Sequence, residues 1–174
     1  MFSRAGGTIM VTSKAWILGL ACFLFFYVSP RVFGGERFTD NGDGTVTDHR
    51  LGVVWNQTDN HGDIAWRSAR QWVRYTFPYT LPGGHEEGWR MPTLEELRSL
   101  YVRDEDYQGY ETDCGRQVKI VPQIRLSCSW VWTSEHKAIT ARVFNFERGY
   151  HYMDRMVHDK AYRVLPVRSI EPAR

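Results

Sequence analysis

An unbroken apolar run from Ala15 to Val28 (AWILGLACFLFFYV) sets the first limit on what this chain can become. A bilayer-spanning helix needs roughly 20 apolar residues, whereas the core of an export signal needs about 7–15. The run is preceded by Arg4 and Lys14 and followed by Ser29-Pro30, so it fits a signal sequence, with cleavage expected after Gly34 or Gly35. Residues 1–35 are therefore read as a signal peptide, or as an N-terminal anchor if they stay uncleaved, and residues 36–174 as a single domain. Met10 is an alternative start. A lipoprotein signal is not expected, because Gly19 stands where leucine would be needed three residues before Cys22 and the apolar run continues past that cysteine. The expected location is the periplasm, the cell surface or the exterior.

Setting the leader apart changes the electrostatic picture. It holds Arg4, Lys14 and Arg31 and no acidic residue, which leaves 19 basic against 20 acidic side chains in the domain. The basic character of the whole chain belongs to the leader, and charge gives no argument for a nucleic-acid partner. Two cysteines remain, Cys114 and Cys128. An even pair in an exported chain is best read as a disulfide. Its spacing is far from C-x-x-C and no third ligand is patterned nearby, so no metal and no cofactor is expected.

Local signals then order the domain. Asn41-Gly42-Asp43-Gly44 separates the β-prone runs Arg37-Phe38-Thr39 and Thr45-Val46-Thr47, which predicts a hairpin. Aligned as an EF-hand loop, the stretch would put Thr39 and Arg50 where anionic ligands are required, which excludes that reading. A third strand is expected at Gly52 to Trp55. Asp63 is read as the N-cap of a helix from Ile64 to about Tyr75. Its apolar side would carry Ala65, Trp66, Ala69, Trp72 and Val73, and its polar side a stripe of Arg67, Arg70 and Arg74. That stripe is either a solvated face or a patch for sulfate or carboxylate groups.

A Pro/Gly-rich link (Phe77 to Gly88) leads to Thr93-Leu94-Glu95-Glu96, a capping box that predicts a second helix with Leu94, Leu97 and Leu100 inside. An acidic loop follows at Arg103 to Asp113, read as solvated or as a cation site. Strands are expected at 129–133, 141–146 and 162–168, with Pro166 marking an edge or a bulge in the last.

In sequence, RFTDNGDGTVTD (37–48), GVVWNQ (52–57), GWRMPTLEELRSL (88–100), VWTSE (131–135), ARVFNFERG (141–149) and RVLPVRS (163–169) resemble the Lcl C-terminal domain family, named for the Legionella collagen-like protein. The resemblance spans roughly residues 37–169. It implies an α+β, C-type-lectin-like domain, with two helices packed on short antiparallel sheets after the N-terminal signal helix. It also implies a surface adhesin's chemistry, the binding of sulfated glycans, with trimeric assembly in the namesake. Relatives close with an R-C-V-R-like motif where this chain has Leu165-Pro166-Val167-Arg168, which implies a different bridge. The E-P-N, Q-P-D and W-N-D motifs of calcium-dependent lectins are absent, so calcium-bridged sugar binding is not implied.

No pattern of catalysis emerges. His85-Glu86-Glu87-Gly88-Trp89 begins like H-E-x-x-H but has tryptophan at the second ligand position. Ser134 and His136 are near neighbours in sequence, and neighbours on a strand point to opposite faces or are held apart, so they give no triad signal. Aromatic residues carry the alternative. Trp55, Trp72, Trp89 and Trp132 are expected in the core. Arg148, Tyr150, His151, Tyr152 and Arg155, beyond a turn at Gly149, are read as a ligand-facing loop. The expected function is a non-catalytic binding module for a glycan or an envelope protein partner, acting through 148–155 and the 67/70/74 stripe. A structural subunit of an envelope complex, an enzyme of lectin-like fold and a homo-oligomer remain open alternatives.

Overall fold

The computed structural model describes residues 37–82 and 87–170; the leader, its cleavage site and Met10 lie outside the described residues. Strands β1 (Phe38–Asp40) and β2 (Thr45–Asp48) form the expected hairpin. Gly42 and Gly44 take positive φ in its turn, and the Asp40 and Asp43 carboxylates accept from the N–H groups of Gly42 and Thr45. β3 (Val53–Asn56) pairs with β2, and β10 (Val167–Ser169) closes on β3 to give the order β1-β2-β3-β10, all antiparallel. Beneath the hairpin, the fully buried Asp48 accepts from Arg37 Nε at 2.9 Å and from Arg50 N–H at 3.1 Å.

Helix α1 (Trp66–Tyr75) starts two residues later than its sequence pattern predicts. Ala65 is the N-cap residue and offers no side-chain bond. The Asp63 carboxylate is instead taken by Arg163 Nη1 at 2.7 Å and by the N–H of Ala161 at 3.0 Å. A guanidinium is a stronger partner for a carboxylate than a helix N–H. Trp66, Ala69 and Val73 are buried, Trp72 is only half-buried rather than core, and Arg67, Arg70 and Arg74 are exposed. A 3-10 turn follows at Phe77–Thr80. α2 (Leu94–Leu100) has the predicted capping box: Thr93 Oγ1 accepts from Glu96 N–H, and the Glu96 carboxylate accepts from Thr93 N–H. Leu94, Leu97 and Leu100 are buried as expected.

After a small ladder of β4 (Tyr110–Glu111) and β5 (Gln117–Val118), the chain builds its central sheet. β6 (Trp130–Lys137), β7 (Thr140–Asn145), β8 (Tyr150–Arg155) and β9 (Tyr162–Arg163) lie in the order β8-β7-β6-β9, with β9 parallel to β6. Two expectations change here. The run 162–168 is two strands in two different sheets, parted at Val164–Pro166, where proline brings no N–H to a ladder. The tract expected as a loop after Gly149 is strand β8, paired with β7 throughout. Gly149 turns with φ 71°, and a Cβ there would run into the Tyr101 ring.

Both faces of the central sheet are buried. Val131 and Phe144 pack with α2 and the first sheet, around Trp55, Leu97 and Ile120. Trp132, Ala141 and Val143 pack with α1, Phe77 and Trp89. Trp55, Trp89 and Trp132 are core, as expected.

Cys114 and Cys128 form a disulfide, with Cα atoms 5.3 Å apart. Closing a loop of about 15 residues stabilises a fold by roughly 3 kcal/mol on the chain-entropy estimate. Replacing both cysteines by serine is therefore expected to lower unfolding free energy by about 3 kcal/mol in urea titrations. An unchanged midpoint would show that the bridge does not constrain the unfolded chain.

Among the described residues, no helix is long and apolar enough to cross a membrane.

Candidate functional site

Two indoles fix α1 to the central sheet reciprocally. Trp66 Nε1 donates to Thr133 O at 2.8 Å, and Trp132 Nε1 donates to Ile64 O at 2.9 Å. Each satisfies its one donor while burying a large ring. Phe77 packs edge-on against Trp89 (4.9 Å between centroids), which sets the 3-10 turn against the segment leading into α2. Between these elements opens a cleft of about 840 Å³, within the size range of small-molecule pockets.

The cleft is aromatic and basic. The Arg70 guanidinium lies 5.9 Å from the Trp66 ring, and the His136 imidazole lies 4.7 Å from it. Arg74 reaches over Tyr75 at 5.5 Å. Tyr75 and Tyr79 line the opening and are 64 % and 69 % exposed. Arg90 also lines it, but its charge is committed to Glu96 through bonds of 2.9 and 2.7 Å. Burial alone would raise the Glu96 carboxyl. The Arg90 guanidinium and the Thr93 N–H outweigh that and hold it below the usual carboxylate range. Arg70 and Arg74 form no ion pair with a described residue. Glu87 is the one acidic residue among the described lining. The arrangement offers two forked cations beside flat aromatic faces, a chemistry suited to a ring-shaped ligand bearing carboxylate or sulfate groups.

Arg67 lies on the same helix but does not line the cleft. The residues of β8 stand elsewhere, on the open edge of the central sheet. Tyr150 and Tyr152 meet Trp130 edge-on at 5.3 and 5.1 Å. The Tyr152 hydroxyl lies 2.5 Å from that of Tyr162, which in turn donates to the Asp154 carboxylate. Burial, then Asp154 and Tyr152, push the Tyr162 hydroxyl well above its usual range. On the opposite face, His151 Nδ1 lies 2.8 Å from Arg142 Nη1, and Arg142 pairs with Glu135. Burial and then the Arg98 and Arg142 charges lower the His151 pKa, so its ring is the neutral acceptor. Arg148 and Arg155 are exposed. The fold thus keeps the two basic tracts of the sequence as separate surfaces. It adds Trp66, Tyr75, Tyr79 and His136 to the first. His136 comes to the cleft because the β6–β7 register shifts between Trp132 and His136, a displacement without a local sequence signal.

A serine and a carboxylate do meet in the interior. Ser127 Oγ donates to Asp59 at 2.7 Å and accepts from Arg163 Nε at 2.7 Å. Ser127, Asp59 and Arg163 are all buried, and His61 joins them through its backbone N–H, which donates to Asp59 at 2.8 Å.

The described residues form an α+β fold that presents a basic, aromatic-lined recess beside its central sheet. The sequence model of the Lcl C-terminal domain matches residues 44–168, and the chain belongs to that family. No curated protein matches the chain.

Proposed function

We propose that the chain is an exported, non-catalytic binding module that takes an acidic glycan into the cleft between α1 and the segment 87–93. The observation that carries this reading is the pair of guanidiniums, Arg70 and Arg74, set among Trp66, Tyr75 and Tyr79 around one recess. Aromatic faces stack on sugar rings, and planar guanidiniums bond sulfate or carboxylate oxygens in pairs. The Cys114–Cys128 bridge supports action outside the cytosol, at the periplasm, the cell surface or beyond. Kinship to C-type-lectin-like domains is part of the same proposal, supported by two helices on opposite faces of the central sheet and by both ends of the domain entering one sheet.

Charge-assisted hydrogen bonds contribute about 1.5–3 kcal/mol each, so losing two corresponds to a hundredfold or more in affinity, on the order of 3 kcal/mol or above. The double variant Arg70→Ala/Arg74→Ala is expected to lose sulfated-oligosaccharide binding by about that factor on a glycan array followed by calorimetry. The Arg148→Ala/Arg155→Ala variant should bind as the parent does. A parent protein that retains no acidic glycan, or a cleft variant that binds unchanged, would end this reading.

A further inference from the structure

β8 is the longest open sheet edge among the described residues. The edge strands β1 and β10 have three residues each and β9 has two, and β10 is also bridged by Arg90, which exchanges backbone bonds with Val167 at 2.8 and 3.0 Å. β8 has six residues, and its exposed members include Tyr150, Tyr152 and Met153. Edges that must stay single usually carry lysine, proline or a bulge. From Tyr150 to Met153 this strand has none of them.

The open backbone groups can be identified. Met156 N–H bonds Ile139 O at 3.0 Å, and on the far side of β7 the N–H of Phe146 bonds Ser129 O at 2.8 Å. Antiparallel ladders alternate, so Tyr150, Tyr152 and Asp154 turn their backbone groups toward β7, and His151, Met153 and Arg155 turn theirs outward. Arg155 is already closed off. Its N–H bonds its neighbour Asp154 at 2.8 Å, and its carbonyl accepts from His158 at 3.0 Å. His151 and Met153 make no backbone hydrogen bond to any described residue on that outer side, which leaves a window of two N–H and two C=O groups, two residues apart.

We infer that this window pairs with its own copy: two chains join antiparallel through β8 about a two-fold axis at Tyr152, so that the two central sheets become one. The axis sets His151 opposite Met153 of the other copy and Met153 opposite its His151, and each N–H finds a C=O. The next symmetric register, centred on Met153, would need the occupied backbone groups of Arg155 and would set Arg155 against His151. In the Tyr152 register no like charges meet. Tyr152 faces Tyr152, Tyr150 faces the Asp154 carboxylate, and Arg155 faces Gly149. On the other face the uncharged His151 ring stands beside a methionine. Self-complementarity of charge and register is what favours a second copy over an unrelated strand, and the inference is independent of what the cleft binds.

Sedimentation of the full chain across a wide concentration range should show a reversible dimer. Tyr152→Arg, which sets two cations opposite each other on the axis, should leave a monomer. A non-hydrogen-bonded pair has Cα atoms about 4.5 Å apart, within the span of a disulfide. Under mild oxidation Tyr152→Cys should therefore give a covalent dimer, while Met153→Cys, whose copies lie well apart in this register, should give no more than the parent chain. The cysteine pair decides the matter even if Tyr152→Arg does not fold. A parent chain that stays monomeric at every concentration, or forms a trimer, overturns the inference, as does cross-linking of Met153→Cys to the same extent as Tyr152→Cys.

Discussion

Replacing Trp132 by alanine is expected to lower folding stability by about 3–5 kcal/mol, the range for deleting a large aromatic from a packed core. The ring is fully buried, touches Tyr162 at 4.5 Å between centroids and holds the start of α1 through Ile64 O. The cavity left behind would adjoin Ala141 and Val143, which have no longer side chain to fill it. Domains of this size are stable by about 5–15 kcal/mol, so the loss is a large share of the total. Trp132→Phe, which keeps most of the ring and drops the indole N–H, should lose less. Urea unfolding of the three proteins orders them. A Trp132→Ala midpoint equal to the parent's would mean that α1 is not held to the sheet by this ring.

The second large effect is expected at Asp59. Its carboxylate is buried and accepts three bonds: from Ser127 N–H at 2.7 Å, from Ser127 Oγ at 2.7 Å and from His61 N–H at 2.8 Å. Ser127 precedes Cys128, and its hydroxyl also accepts from Arg163 Nε, whose ion-pair partner is Asp63. Alanine at 59 strands two buried donors, the N–H and the hydroxyl of Ser127. At about 1–3 kcal/mol for each stranded group, the expected loss is about 3–5 kcal/mol. Asp59→Asn keeps one acceptor oxygen and should fall between. Because the group borders the disulfide loop, the Asp59 and cysteine substitutions should not add when combined. A loss below about 0.5 kcal/mol for Asp59→Ala would place it with ordinary surface changes and contradict this role.

The parts of the fold legible in the sequence are those decided within a few residues. Thr93 and Glu96 form their capping box because each reaches the other's N–H within one turn. The hairpin follows from glycines that tolerate positive φ at 42 and 44. Local evidence failed where a distant group competed. Asp63 has the makings of an N-cap, but Arg163 lies a hundred residues along the chain and claims its carboxylate. Trp72 falls on the apolar side of a helical wheel, yet it packs at the margin of the cluster against Phe77 and stays half-buried, while Trp66, Ala69 and Val73 are buried. Residues 150–155 lie just beyond the turn at Gly149 and read as a loop, but they pair with β7 along their whole length.

The candidate site shows the same division. The arginine stripe was visible from helical spacing alone. What makes it a recess is contributed by Tyr79 beyond a proline, Gly88 and Trp89 before α2, and His136 beyond a register shift. Those meet only in the folded chain, so no spacing rule joins them. The disulfide was readable for a different reason: an even pair of cysteines in a chain expected to be exported restricts the choices before any geometry is known.

Nuclear magnetic resonance of the isotopically labelled chain, titrated with a sulfated oligosaccharide, tests the cleft most directly. Saturable shifts gathered on the indole of Trp66, the guanidiniums of Arg70 and Arg74, the rings of Tyr75 and Tyr79 and the imidazole of His136 are the expected result. Saturable shifts that leave those groups untouched and gather on other surfaces, or a spectrum that does not change, would contradict it.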